Sequence, residues 1–179
     1  MLQRVDIAAR SLESYEPIVG GAALEALRET AEPLRGLRIA HISATAYGGG
    51  VSELLHSLVP LDQALGIDCE WLVIPGTPHF FEVTKRMHNA LQGETGSLSR
   101  RARQIYLEHS RALAGLLEPR YDVIWVHDPQ PAALRQLCGA RGARWIWRCH
   151  IDTSQPNEQI LRFLEPFLED YPGTVVFVT

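Results

Sequence analysis

The sequence predicts an α/β domain, a Rossmann-like doubly wound parallel sheet, and three observations carry the prediction. Five short runs are almost continuously apolar, as strands covered on both faces are. The segments between them place apolar residues at helical spacing. Strand-type and helix-type segments then alternate along the chain, which is the pattern of a wound sheet.

The strand-type runs are Leu37–Ser43, Cys69–Ile74, Asp122–His127, Trp145–Cys149 and Thr174–Thr179. A helix over Ala22–Ala31 precedes the first. A second helix, Val51–Leu65, follows it with Val51, Leu54, Leu55, Leu58, Leu61 and Leu65 on one face, and Pro60 inside it is expected to kink or split it. Between Pro75 and Tyr121 the chain makes an excursion through helices near Phe81–Leu91 and Leu98–Leu117. Helical segments over Pro131–Cys138 and Asn157–Tyr171 complete the alternation. Residues 1–36 read as an N-terminal extension whose helix packs on the domain, and residues 37–179 as the domain itself. The chain stops on the apolar run Val175–Thr179 with no closing helix, so the expectation is a fragment of a longer protein.

With 179 residues, 46% of them hydrophobic, the chain can bury one sizeable core. A formal net charge of −4 offers no electrostatic footing for nucleic acid or an anionic membrane. Lys85 is the single lysine against sixteen arginines. Cys69, Cys138 and Cys149 are too widely spaced for a paired redox or metal motif. No secretory signal or membrane-length apolar run is visible, so a cytoplasmic location is expected, and a homodimer is allowed.

Four places carry candidate chemistry. Gly48, Gly49 and Gly50 lie directly after a strand and open a helix. Such a turn can bring backbone amides and the positive helix end onto a diphosphate or sugar hydroxyls, or it can be a tight turn with no ligand. Asp128, with Gln130 beside it, ends the third strand. Pro129 biases it away from helical geometry, so its carboxylate can enter the crevice or can cap the next helix. His150 and Asp152 follow the fourth strand at i, i+2. Two ligands at that spacing make a weak metal motif, and a buried, backbone-bonded histidine is the plain alternative. Lys85, His88, Asn89 and Gln92 share a helical face that suits either a sugar or bulk water. Arg100, Arg101, Arg103 and Arg111 read as a solvated helix surface. No nucleophile elbow, zinc motif or Cys/His pair supports a hydrolase.

Taken in order, GGGVSELLHSLVPL, FEVTKRMHNALQG, VHDPQPAAL and WRCHIDTSQPN closely resemble the N-terminal half of trehalose glycosyltransferring synthases, and the leading segment SLESYEPIVGGAALEALRETAEPLRG fits the same pattern. Related trehalose phosphorylases share it. The resemblance implies the N-terminal, acceptor-side half of a two-domain (GT-B) retaining glycosyltransferase. Its donor is a nucleotide-diphosphate glucose, its acceptor is glucose, and no cofactor or metal is called for. It also implies roles: Asp128 and His150 as the catalytic pair, Asp128 on acceptor hydroxyls and His150 near the donor's 6-hydroxyl. Gly48, Gly49, Gly50, Lys85, His88, Asn89, Gln130 and Asp152 would line the substrate pocket. A phosphorylase, or a sugar-binding module without catalysis, stays open as the alternative.

Overall fold

The computed structural model describes residues 1–176. A short edge strand β1 (Gln3–Arg4) is followed by helices α1 (Glu16–Val19) and α2 (Gly21–Ala31). Then come β2 (Arg38–Ser43), α3 (Gly50–Ala64), β3 (Asp68–Val73), α4 (Pro78–Leu91) and α5 (Arg100–Ala114). The chain finishes with β4 (Val123–His127), α6 (Leu134–Cys138), β5 (Arg144–Cys149), α7 (Glu158–Leu168) and β6 (Gly173–Val176). Each predicted strand is present within a residue or two at its start; of the last, residues 177–179 lie outside the described residues. The strand that the sequence does not announce is β1. Two residues carry no periodicity, and only their antiparallel pairing with Leu72 and Val73 of β3 makes them a strand.

The sheet order is β1-β3-β2-β4-β5-β6, with β2 through β6 parallel. Strand β2 is therefore the first parallel strand laid down, with β3 on one side and β4 on the other. The chain winds one way from β2 to β3 and the other way from β4 onward. That switch point leaves a crevice at the carboxyl ends of β2 and β4, where open α/β sheets bind ligands.

Two apolar layers hold the sheet. On one side Ala40, Ile42, Ile124, Val126, Trp145 and Trp147 pack against α4, α5 and α7 through Phe80, Met87, Tyr106, Leu113, Ile160 and Leu164. On the other, Ile39, Cys69, Trp71 and Val73 pack against Leu55 and Val59 of α3. The buried stripe of α3 thus runs through Ser52, Leu55, Val59 and Pro60, with Leu54, Leu58 and Leu61 only half-buried. Helix α2 joins through a small cluster of Leu12, Leu24, Ala31 and Leu65.

Of the two outcomes expected at Pro60, the split does not occur: α3 runs unbroken from Gly50 to Ala64. A proline deletes one amide donor and crowds the preceding turn, a cost of about 3 kcal/mol. Here its ring is buried among the apolar residues of the helix–sheet interface, which offsets part of that cost. Pro166 also lies inside a continuous helix, α7, but on its exposed side. Helices α4, α5 and α7 start where side chains cap them: Thr77 accepts from Phe80 N–H, Ser99 from Ala102 N–H, and Asn157 from Gln159 and Ile160 N–H. No helix among the described residues is long and apolar enough to cross a membrane.

Candidate functional site

Helix α3, unlike α4, α5 and α7, starts without a side-chain cap. Its N-cap is Gly49, with φ 90° and ψ 159°, and no side chain bonds to its first amides. Gly48 is also in the positive-φ region, at 73°. A β-carbon built on Gly48, Gly49 or Gly50 would meet no atom within 4 Å, so the turn faces open space. The physical result is a helix end that presents uncapped N–H groups, with the positive end of its dipole, to a cleft.

Across that cleft, Asp128 follows β4 with φ 64°, one of two non-glycine residues among those described with positive φ. Asp tolerates this region better than most side chains, though such conformations cluster where function fixes them. Three bonds hold it. Its amide donates to Arg148 O at 2.9 Å, its carbonyl accepts from Trp147 Nε1 at 2.9 Å, and its Oδ1 accepts from the His150 amide at 2.7 Å. The helix-capping alternative is excluded, because α6 begins six residues later at Leu134, and its N-cap Ala133 has no side-chain cap. At 8% exposure the carboxylate is largely desolvated, and burial raises its pKa to about 6 against the lowering effect of the His150 amide.

These parts meet in two adjoining cavities. One, of about 190 Å³, is lined by Ser43, Ala44, Thr45, Gly48, Gly49, Gly50, Val51, His88, His127, Asp128 and Gln130. The other, of about 780 Å³, is bounded by Ala44, Thr45, Gly48, Phe81, Thr84, Lys85, His88, Asn89 and Gln130. The glycine turn, the β4 terminus and the polar face of α4 therefore converge. Lys85 is exposed within this wall, while His88 and Asn89 are half-buried. Gln92, one turn further along α4, is exposed and lines neither cavity.

Two predicted residues stand elsewhere. Asp152 is exposed, and its Oδ1 accepts from the Ser154 amide and hydroxyl, closing a local turn. His150 is half-buried and touches the cleft through its neighbours: its amide on Asp128, and its Nε2 2.9 Å from Nδ1 of His127. His127 lines the smaller cavity, and the sequence reading gave it no role. Behind it lies His41 of β2, with Nδ1 at 3.0 Å from His127 Nε2. Both histidines sit inside apolar strand runs, where a polar residue unaccounted for by alternation was the signal to follow.

Beyond His41, the side chains of Asp62 and Cys69 bring three ligand-type atoms within 4.8 Å of one another, a trio that the described residues form once. Its chemistry is that of a hydrogen-bonded cluster. Cys69 donates to Asp62 Oδ2 at 3.7 Å, and burial pushes its thiol far up, so the thiolate a cation would need is strongly disfavoured. The arginines predicted to be solvated are so: Arg100, Arg101, Arg103 and Arg111 are all exposed.

The sequence model described as "Trehalose synthase, N-terminal domain" matches residues 41–179. A trehalose synthase of Rubrobacter xylanophilus is 47% identical over 98% of this chain and 43% of its own length. One of Pyrococcus horikoshii is 44% identical over 90% of this chain and 39% of its own. A trehalose phosphorylase of Pleurotus sajor-caju is 33% identical over 86% of this chain and 23% of its own. The chain thus spans about two fifths of the curated synthases it matches. Among solved structures, an alpha,alpha-trehalose-phosphate synthase (UDP-forming) from Burkholderia vietnamiensis aligns with a TM-score of 0.53 and 17% identity, over 78% of this chain and 39% of that one. That likeness is one of fold, and it agrees with the Rossmann-like architecture described above.

Proposed function

Because the chain belongs to the family of trehalose synthase N-terminal domains, we propose that the protein carrying it transfers glucose from a nucleotide-diphosphate glucose to free glucose, making trehalose with retention at the donor carbon. This chain supplies the acceptor-side wall of the site. The observation that carries the reading is the placement of an uncapped helix end opposite a desolvated carboxylate, in one cleft at the topological switch point.

In this reading Asp128 accepts hydrogen bonds from the acceptor's hydroxyls, and Gln130, Lys85, His88 and Asn89 complete the polar lining. The Gly48–Gly50 turn faces the donor's sugar and diphosphate. His150 lies at the far edge of the same wall, near the donor glucose. No carboxylate of this wall has to act as a nucleophile, in contrast to retaining glycosidases, where two carboxyl groups face each other about 5–5.5 Å apart. The acceptor hydroxyl attacks from the leaving-group side and passes its proton to the departing phosphate. The wall contributes by holding the sugars in register and by favouring charge growing on the diphosphate. One helix end contributes roughly 0.3–2 kcal/mol to that charge, so most of the leaving-group stabilisation belongs to the part of the protein beyond this chain.

The test is product analysis of the longer protein that carries this chain. ADP-, UDP- and GDP-glucose, each supplied with glucose, should yield trehalose with at least one donor. Trehalose cleavage that requires inorganic phosphate, with no reaction from any nucleotide sugar, would make it a phosphorylase. Sugar binding without turnover in either assay would make it a binding module.

A further inference from the structure

Three imidazoles join the cleft to the buried side of the sheet in one line. His150 Nε2 is 2.9 Å from His127 Nδ1, and His127 Nε2 is 3.0 Å from His41 Nδ1. The rings are nearly parallel along the line, at 34° and 25°, and His41 lies flat on Trp125 at 12°. Beyond it, His41 Nε2 is 3.9 Å from Asp62 Oδ2 of α3, an ion-pair distance rather than a hydrogen bond.

A neutral imidazole has one N–H and one bare nitrogen, and each of the two short contacts needs one of each. That leaves two arrangements for the whole line. In the first, all three rings carry their proton on Nε2: His150 donates to His127, His127 donates to His41, and the N–H of His41 faces Asp62. In the second, all three carry it on Nδ1: every bond reverses, and His41 turns a lone pair toward Asp62. A mixed arrangement sets two lone pairs or two N–H groups face to face at about 3 Å. The proton position on one ring therefore dictates the others.

We infer that His127 and His41 are positioning residues that couple the tautomer of His150 to the charge of Asp62. An ionised Asp62 attracts the N–H of His41 and selects the first arrangement, which leaves Nδ1 of His150 bare. A protonated Asp62 releases that attraction, and Nδ1 of His150 then carries the proton. The conversion balances: one proton enters at Nδ1 of His150, each ring hands one on, and Asp62 takes up the last after closing the 3.9 Å gap.

The surroundings suit such a line. Burial lowers the pKa of His41 and His150 to about 4 and that of His127 to about 2, with the Arg148 charge adding to each, so the rings are neutral near pH 7. Burial raises Asp62 to about 6, partly offset by the Cys69 thiol from β3. Arg148 of β5 acts on all three rings from one side of the line. Asp128, also raised to about 6, bonds the His150 amide and is the other group that titrates in this range.

The consequence for catalysis rests on the sugar-site reading, but the coupling does not, and NMR reads it with no substrate present. Long-range proton–nitrogen spectra of the chain labelled with ¹⁵N-histidine distinguish protonated from bare ring nitrogens. Between about pH 8 and pH 5, the three rings should exchange the Nε2–H pattern for the Nδ1–H pattern together, with one midpoint. In Asp62→Asn the pattern should stay fixed over that range, and in Asp128→Asn it should still exchange. Rings that hold different tautomers at one pH, that exchange at separate midpoints, or that keep one pattern throughout the range in the parent chain would overturn the inference. So would a joint exchange that survives Asp62→Asn. If that variant does not fold, the parent series alone decides.

Discussion

Oδ1 of Asp128 accepts the backbone N–H of His150 at 2.7 Å, so the carboxylate that faces the cleft also ties the end of β4 to the end of β5. One side chain thus serves architecture with one oxygen and lines the cleft as well.

That division makes Asp128→Asn informative. Asparagine keeps the accepting oxygen and tolerates positive φ. A carboxyl whose pKa is raised on folding contributes stability while protonated, present below its unfolded pKa near 3.8 and lost as pH rises through about 6. Above that point the ionised group opposes folding. Asp128→Asn should therefore melt no lower than the parent at pH values above 7, and up to about 1–3 kcal/mol more stable. In the longer protein it should turn over at least about tenfold more slowly. A melting curve at two pH values and one rate measurement check both.

Gly49→Ala asks the backbone to hold φ 90° and ψ 159°, a region open essentially only to glycine. The expected cost is of order 1–3 kcal/mol in denaturant unfolding, with sugar binding reduced because the added methyl stands in the cleft.

Ser43→Ala should destabilise through a neighbour. Trp71 is buried and donates Nε1–H to Ser43 Oγ at 2.7 Å, while that hydroxyl donates to Thr45 O in the turn. Removing it leaves a buried indole N–H without its acceptor, a cost of about 1–3 kcal/mol measurable by thermal unfolding.

Tyr106→Phe tests the underside of the Asp128 loop. The Tyr106 hydroxyl, fully buried, donates to Pro129 O at 3.0 Å and accepts from Ala133 N–H at 3.3 Å. Its loss should cost about 1–3 kcal/mol and speed amide exchange at Ala133.

Lys85→Ala should leave stability within about 0.5 kcal/mol, since the side chain is exposed, and should weaken binding in the larger cavity. Calorimetry with glucose, set beside a melting curve, separates the two effects.

What the sequence made legible follows from what repeats. Apolar runs and helical spacing are local, so five strands and the helices between them could be placed from residue types alone. The glycine turn and Asp128 were legible because a strand's carboxyl end in a wound sheet is a place known before the coordinates are. The remainder depended on registers no local pattern holds. β1 exists through its pairing with β3. Pro60 stays inside α3 because of what surrounds its ring. The link from His41 to His127 needs β2 and β4 to be neighbours, although 86 positions separate the two residues. The turn that Asp152 closes with Ser154 was likewise not legible from its spacing to His150.

We propose that the glycine turn, the β4 terminus and the polar face of α4 form one sugar pocket. Glucose titrated into the ¹⁵N-labelled chain tests it most directly. Saturable shifts should gather at Gly48–Gly50, at Lys85–Asn89 and at His127–Gln130, and Asp128→Asn should weaken all three groups in parallel. Saturable shifts on another face of the sheet, or three groups that respond with unrelated affinities, would contradict it.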